Sequence, residues 1–278
     1  MIRLRAPERL EALAARIGGR VSGDAVVRGV ARVEDAGAGE LAPLLSRKFL
    51  SDAREAIARG ASVLAQEELA GELADQGTTW AHAHATWALA EVLDDCTSDA
   101  GRPTWGEGTT FAPNVVLAPG VVIGARVRIE ANAVIGRPGF GWAERDGAVR
   151  AVPQLGGVVI EDDVYVGPLC SIDAGTLAPT RIRRGAKLDA QVHVGHNCDV
   201  GEGCMIAAQS GLAGSVVLGR GVLVGGQAGF ADHVRVGDGA RVAAKSGVIG
   251  DVPAGAVVAG YPAQPRVRWL RALARLSR

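Results

Sequence analysis

The chain has 278 residues, of which 48% are hydrophobic and only 4% aromatic, and it contains 39 glycines. This apolar content supports a substantial core and excludes a disordered protein. Thirty basic and thirty acidic side chains cancel, so no overall charge attracts nucleic acid or an anionic membrane. No run approaches the roughly 18 consecutive apolar residues of a membrane-spanning helix, and we expect a cytoplasmic protein.

Residues 1–100 predict a small α/β domain. The charges spread through residues 1–20 favour an amphipathic helix over a signal peptide. The patterns in chain order are a helix at 7–18, a strand at 26–33, a helix at 51–59, a strand at 61–65 and a last helix from 87–93. Asp, Ser, Gly and Pro gather in residues 94–103, which we interpret as a linker.

A six-residue repeat dominates the rest of the chain. Twelve apolar residues fall six apart, and Gly or Ala follows nine of them: Ile182, Leu188, Val194, Val200, Ile206, Leu212, Leu218, Val224, Phe230, Val236, Val242 and Val248. The same spacing holds in 160–172 and in 111–135, with a long insertion between these two stretches and a four-residue one before Ile182. Period six fits no α-helix, and it predicts a left-handed parallel β-helix over residues 104–262.

In such a fold each hexad is a short strand plus a corner, and three hexads close a triangular coil. The apolar residues stack inward, and the small residues that follow them are expected where the chain turns sharply. Pro262 and Pro265 end the repeat, and residues 263–278 predict a short amphipathic helix with Val267, Leu270, Leu273 and Leu276 on one side.

Residues 18 apart occupy the same corner of successive coils. His196, Gly214 and the pair Asp232–His233 therefore form one column along a single edge. Histidine is the usual general base near neutral pH, and an exposed amide at Gly214 would stabilise an oxyanion. Together they suit acyl transfer to an amine or a hydroxyl. The alternative is that these corner histidines are simply solvated.

Covalent, metal and phosphate-loop chemistry are less favoured. The four cysteines, Cys96, Cys170, Cys198 and Cys204, are too few for a disulfide framework and are expected to be buried thiols. A three-histidine zinc site would need a third ligand beside His196 and His233, and position 238 is Asp. His82 and His84 are interpreted as a polar strand edge. The glycines follow the hexad period and do not form a phosphate-binding loop.

Several segments resemble one enzyme family. They are Gly139-Phe140-Gly141-Trp142, Val152-Pro153-Gln154-Leu155-Gly156, Ser171-Ile172-Asp173, Gly195-His196-Asn197, Gly211-Leu212-Ala213-Gly214-Ser215, Gly225-Gly226-Gln227, Lys245-Ser246-Gly247-Val248 and Gly260-Tyr261-Pro262-Ala263-Gln264-Pro265 with Trp269. In this pattern the chain resembles the UDP-3-O-(3-hydroxyacyl)glucosamine N-acyltransferases of lipid A biosynthesis. The resemblance extends to the first 100 residues, which are similar to the family's uridine-binding domain.

The resemblance implies a homotrimer whose active sites lie between subunits. The donor would be a 3-hydroxyacyl chain on the phosphopantetheine of acyl carrier protein, with no further cofactor or metal, and the acceptor a UDP-amino sugar, UDP-3-O-acylglucosamine. His196 aligns with the family's general base, Gly214 with its oxyanion-hole amide and His233 with a second active-site histidine. Unopposed arginines in the C-terminal helix, namely Arg266, Arg268, Arg271, Arg275 and Arg278, suggest a surface for the acidic carrier protein.

The resemblance also implies substrate-binding residues. These are Ser46, Lys48 and Phe49 for the uracil, Phe140 and Trp142 for the sugar or acyl chain, and Asn197 beside the catalytic histidine. An aromatic plug over the β-helix edge is the alternative role for Phe140 and Trp142.

The chain departs from the family's residues at several positions. The usual Phe-x-x-Asn-x-Lys-Tyr of the uracil pocket is here residues 43–49, in which one aromatic and the asparagine are lost. Arg137-Pro138 replaces Ala-Asp, Ala174 replaces an arginine, Ala190 replaces an asparagine and His193 replaces a glutamine. Two alternatives therefore stay open. One is an acyl- or acetyltransferase that acts on a different nucleotide amino sugar, with coenzyme A as a candidate donor; the other is a non-catalytic or metal-binding β-helix.

Overall fold

The computed structural model describes residues 1–73, 75–97 and 100–276, and these form two compact units. The first unit contains the described residues up to 97, together with Gly141–Leu155 and Thr176–Ala178. The second contains Ala100–Phe140, Gly156–Gly175 and the described residues from Pro179 onward. Ser98 and Asp99 of the predicted linker, and Arg278 of the basic helix, lie outside the described residues.

The first unit is an α/β domain built on a seven-stranded sheet. In spatial order its strands are Arg20–Ser22, Thr79–Ala81, Ser62–Ala65, Glu40–Leu44, Val26–Val30, Ile2–Arg9 and Cys96–Thr97. The four central strands run parallel and the outer ones antiparallel. Its helices are Leu10–Ile17, Leu50–Ala58, Glu67–Gly71 and Ala85–Asp94, with a 3₁₀ turn at Arg47–Phe49.

Most predicted elements of this unit are confirmed, but its first residues are a correction. Residues 2–9 were expected to be helical, whereas Ile2–Arg9 is a strand and the helix begins at Leu10. The strand pairs with both Val26–Val30 and Cys96–Thr97. These ladders satisfy its backbone groups, so tertiary pairing overrides the helical pattern of the charges.

The long insertion in the repeat forms an antiparallel hairpin, Trp142–Arg145 with Ala148–Ala151, that is part of the first unit. Ala143 and Val152 are buried in that unit's core. The Arg150 guanidinium lies 5.2 Å from the Trp87 ring centre and forms an ion pair of 3.1 Å with Glu91. The sequence-based division assigned all of residues 104–262 to the β-helix. The structure places this hairpin with the N-terminal unit instead, because Ala143 and Val152 are buried in the core of that unit.

The second unit is a left-handed parallel β-helix with three sheets. The first contains Thr104–Trp105, Val121–Ile123, Val158–Ile160, Thr180–Ile182, Asp199–Val200, Val217–Leu218 and Arg235–Val236. The second contains Thr110–Phe111, Arg128–Ile129, Tyr165–Val166, Lys187–Leu188, Met205–Ile206, Leu223–Val224, Arg241–Val242, Val257–Ala259 and Gln264–Pro265. The third contains Val116–Leu117, Val134–Pro138, Ser171–Ala174, His193–Val194, Gly211–Leu212, Gly229–Phe230 and Gly247–Val248.

The twelve hexad residues from Ile182 to Val248 are all buried, as predicted. The Gly or Ala that follows nine of them is needed for a different reason than expected. Gly201 does not have a positive φ, but a Cβ there would lie 2.2 Å from the Gly219 carbonyl oxygen of the next coil. The left-handed conformation falls on other corner residues such as Gln191 and Gln209, both with φ near +60°. Their amides are joined by a hydrogen bond of 2.8 Å, which links successive coils.

The C-terminal helix, Arg266–Leu276, is present as predicted. It is short and rich in arginine. Among the residues that the structure describes, no helix is long and apolar enough to cross a membrane.

Candidate active site

The predicted corner column is present in the β-helix. His196 follows the strand His193–Val194. The Ser215 N–H donates to the His196 carbonyl at 2.8 Å, and the His233 N–H donates to the Gly214 carbonyl at 3.0 Å. These two bonds join three successive coils, so His196, Gly214 and His233 lie along one edge.

Two glycines leave room for the His196 imidazole. A Cβ on Gly214 would lie 2.7 Å from both Cε1 and Nε2 of that ring, and a Cβ on Gly139 would lie 2.5 Å from the His196 Cβ. The half-buried ring therefore packs directly against the Gly214 backbone. Among the described residues, no hydrogen bond uses the Gly214 N–H. This donor is available to a ligand next to a histidine.

The surroundings of His196 favour its neutral form. Burial lowers the pKa of His196 below the ordinary value of 6.5, and the His233 and His193 imidazoles lower it further. Asn197, expected to contact substrate, has its amide nitrogen 2.8 Å from His196 Nδ1. A neutral imidazole oriented by an amide is suited to accept a proton near neutral pH.

A second polar group lies on the same face of the β-helix and was not predicted from the sequence. Ser171 Oγ is 2.7 Å from His193 Nδ1. His193 Nε2 is 3.9 Å from Asp173 Oδ2, and Arg137 Nε is 2.9 Å from Asp173 Oδ1. Asp173 is only 1% exposed, and burial raises the pKa of its carboxyl, while Arg137 and His193 oppose this.

The four-residue insertion explains why this group was missed. Ser171 pairs with His193 in the parallel ladder, although the two residues are 22 apart in the sequence and not 18. The four inserted residues added to the 18-residue period give this separation, so counting them would have predicted that Ser171 and His193 are neighbours in successive coils. The Arg137–Asp173 pairing follows from a register shift between their strands, which no repeat predicts.

The aromatic residues of the insertion are exposed and fall in different units. Phe140, in the β-helix unit, is 79% exposed, and Trp142, which begins the hairpin of the first unit, is 53% exposed. A buried aromatic plug therefore does not describe them. Their predicted role in substrate binding stays a prediction.

The predicted uracil-binding residues lie at the 3₁₀ turn of the first unit. Ser46 and Lys48 are exposed, and Phe49 is half-buried against the apolar cluster of that unit. The Ser46 hydroxyl accepts a hydrogen bond from the Lys48 N–H at 3.4 Å, so it caps the turn. The structure brings these three residues together, as their adjacency in the sequence requires.

The remaining thiols and histidines have structural roles. The Cys198 and Cys204 thiols donate to the carbonyls of Ala213 and Gly219 at 3.0 Å in the β-helix core. His82 is a correction, because it is buried and not at an exposed strand edge; its Nδ1 accepts a hydrogen bond from the His84 N–H at 2.8 Å. In the described part of the chain, no group of three or more His, Cys, Asp or Glu residues is arranged to hold a metal ion.

Comparison with known proteins confirms the fold and the resemblance. The family described as "Bacterial transferase hexapeptide (six repeats)" matches residues 106–137 and 179–214. A curated UDP-3-O-acylglucosamine N-acyltransferase of Caulobacter vibrioides is 54% identical over 157 residues, which is 56% of this chain and 46% of that protein. One of Janthinobacterium is 46% identical over 112 residues, or 40% of this chain and 32% of that protein. The matches thus span less than half the length of these relatives.

Solved structures agree on the architecture. A UDP-N-acetylglucosamine acyltransferase from Campylobacter jejuni has a TM-score of 0.54 and 25% identity, covering 59% of this chain and 62% of that one. The corresponding enzyme of Francisella novicida has the same TM-score and identity, covering 61% of this chain and 62% of that one.

Proposed function

We propose that this chain, related over about half its length to curated UDP-3-O-acylglucosamine N-acyltransferases, transfers a 3-hydroxyacyl group to the 2-amine of UDP-3-O-acylglucosamine. The donor is a thioester on the phosphopantetheine of acyl carrier protein. The observation that carries the proposal is the packing of the His196 ring against the Gly214 backbone, whose N–H is available. A base and an oxyanion donor at one place are what acyl transfer to an amine needs.

The chemical step follows from these two groups. As the amine nitrogen attacks the thioester carbon, His196 accepts the proton that the nitrogen loses. The Gly214 N–H donates to the oxyanion of the tetrahedral intermediate. The carbon–sulfur bond then breaks, and the proton passes to the departing thiolate. For Nε2 to act as the base, Nδ1 must carry the hydrogen. The Asn197 amide nitrogen faces Nδ1 in the structure, so the base form requires the amide to turn and accept through its oxygen.

Direct transfer is favoured over a covalent acyl-enzyme. All four cysteines are buried. Burial raises the pKa of the Cys198 thiol to about 12, so it stays protonated and is a poor nucleophile.

We extend the proposal to two partners. The first is the acidic carrier protein. We assign to it the surface formed by four exposed arginines of the C-terminal helix, Arg266, Arg268, Arg271 and Arg275, because a basic surface would speed its encounter.

The second partner is a further copy of the chain in a homotrimer. The exposed apolar side chains Met205 and Val257, which lie on the same sheet of the β-helix, support such an interface. Light scattering, which measures the mass of the assembly in solution, tests the homotrimer.

A second candidate is a coenzyme A-dependent acyltransferase acting on a different nucleotide amino sugar. The observation that favours it is the turn at residues 46–49. The Ser46 hydroxyl is engaged with the Lys48 N–H and Phe49 packs on the core, so few groups remain to hold uracil.

A transfer assay separates the candidates. Purified protein is given 3-hydroxyacyl carrier protein or acetyl coenzyme A as donor, with UDP-3-O-acylglucosamine as acceptor, in the wild type and in His196→Ala. N-acylation from the carrier protein that is lost in the variant supports the first candidate. Turnover from acetyl coenzyme A alone supports the donor of the second candidate, and no turnover from either donor contradicts the first. The same assay with other nucleotide amino sugars as acceptors tests the second, which is contradicted if none of them is acylated from coenzyme A.

A further inference from the structure

On one face of the β-helix, the row of outward-facing side chains ends at His193. The outward positions of successive strands on this face are Ser171, His193, Gly211, Gly229 and Gly247, which pair in register. His193 is thus the last side chain before three positions that have none. A groove of about 700 Å³ lies over these glycines, and His193 and Tyr261 are among its lining residues.

The groove is apolar along most of its length. Ala213, Ala231 and the 63% exposed Ile249 line it beside the glycines. The Tyr261 ring covers the last of them, because a Cβ on Gly247 would lie 1.9 Å from Tyr261 Cδ2. Gln227, Lys245 and Ser246 also line the groove. A ligand lying over the glycines would be mainly apolar, and at the end opposite Tyr261 it would meet the polar side chain of His193.

His193 is held in one orientation by its neighbours. Its Nδ1 is 2.7 Å from Ser171 Oγ, and its Nε2 is 3.9 Å from the carboxylate of Asp173. A carboxylate on that side favours a hydrogen on Nε2, and the Ser171 hydroxyl then donates to Nδ1. Arg137 in turn fixes Asp173 through an ion pair of 2.9 Å.

The Nε2 hydrogen has no protein partner. The distance of 3.9 Å to Asp173 is too long for a hydrogen bond, and no other hydrogen bond to Nε2 is formed within the described residues. The side chain is 40% exposed, so a ligand can reach it. The result is an oriented donor at one end of a mainly apolar groove, three residues before the proposed base His196.

We propose that His193 is a specificity-determining residue, which donates a hydrogen bond from Nε2 to a hydroxyl on the transferred acyl chain close to its carbonyl. This rests on the proposed acyl transfer. The hydroxyl oxygen accepts from His193, and the apolar remainder of the chain contacts the glycine positions. An acyl chain without the hydroxyl would leave the oriented donor unpaired, which a site built this way rejects.

The test compares two donors that differ only in the hydroxyl. kcat/KM is measured for 3-hydroxyacyl and unsubstituted acyl carrier proteins of the same chain length. The variants are His193→Leu, which removes the donor, and His193→Gln, which keeps an N–H donor. Lys187→Leu is the matched control, since it changes the same hexad position on another face.

We expect the wild type to prefer the hydroxylated donor by about 100-fold or more. His193→Leu should reduce that preference by about tenfold, while His193→Gln and Lys187→Leu preserve most of it. A purely structural role would slow both donors equally, so an unchanged preference in His193→Leu overturns the proposal. Failure of the wild type to use either donor overturns the proposed function, and this inference with it.

Discussion

The β-helix and the N-terminal unit differ in how closely spatial neighbours follow from residue numbers. In the β-helix, His196 and Gly214 are 18 residues apart and lie in contact. In the N-terminal unit, Ile2 pairs with Val30 and Leu4 with Cys96, which no spacing indicates. A repeat converts sequence distance into spatial distance, whereas a mixed sheet does not. The sequence therefore predicted the site residues most specifically in the part of the chain that repeats.

The largest effect should come from the corner column itself. His196→Ala removes the proposed base, and we expect kcat/KM to fall by about 10² to 10⁴. The thermal midpoint should stay close to that of the wild type, because the ring is half-buried at a corner and lies outside the core. Glu202→Ala changes the same hexad position one corner later and serves as control. A wild-type rate in His196→Ala would contradict the mechanism.

The next largest effect is expected for the substitution Gly214→Ala. Its added Cβ would meet the His196 ring at 2.7 Å, so it displaces the base from the amide. We expect kcat to fall by about 10² to 10³, the cost of a lost oxyanion donor. Gly226→Ala has the same hexad phase. Its Cβ would lie 3.2 Å from the Ala208 carbonyl oxygen and 4.0 Å from the Ala207 Cβ, away from the histidines, so its kcat should stay near wild type. Equal losses in both variants would show a general packing effect instead.

A pair of glycine substitutions tests the comparison between the units directly. In Gly201→Ala the Cβ would lie 2.2 Å from the Gly219 carbonyl oxygen, and backbone cannot move aside. The free energy of unfolding should fall by about 3 kcal/mol. Gly71→Ala has no heavy atom within 4 Å of the new Cβ and should stabilise its helix by up to about 1 kcal/mol. Urea denaturation measures both, and similar effects would refute the idea that coil stacking sets the glycine requirement.

A smaller effect is expected in the N-terminal unit. Lys48 is exposed, so a contact from it to nucleotide is worth at most about 1 kcal/mol. Lys48→Gln should raise KM for the nucleotide sugar by about fivefold at most and leave kcat unchanged. Arg54→Gln, also exposed, is the control. A loss of kcat would mean that this turn takes part in the chemical step.

The smallest effect is a displacement of the pH profile. The pKa of His196 is lowered by burial and by nearby imidazoles, so its basic form persists below pH 6.5 and activity is lost only as pH falls through the lowered pKa. His233→Gln removes a neighbouring positive charge, which makes protonation of His196 easier. The acid limb of kcat/KM should therefore move to higher pH, while the contribution of burial remains. Movement to lower pH would show that His233 does not act on His196 electrostatically.

The residues that the sequence did not reveal share one physical reason. Ser171, Asp173 and Arg137 lie on strands separated from His193 by insertions, so the 18-residue period no longer counts coils there. The Trp142–Ala151 hairpin departs further, because Ala143 and the following Val152 are buried in the core of the N-terminal unit. At both places the contacts depend on where the chain rejoins the repeat after an insertion, and the local sequence pattern does not encode this.

The hexad alone determined the β-helix, its buried apolar column and the stacking of His196, Gly214 and His233, because each coil repeats the previous one at constant spacing. The tertiary structure decided the first strand of the N-terminal sheet, the unit to which the hairpin belongs, and the Ser171–His193–Asp173 group. It also decided why the small residues are needed, since the close approach of neighbouring backbones at Gly201 is a property of two coils and not of one hexad.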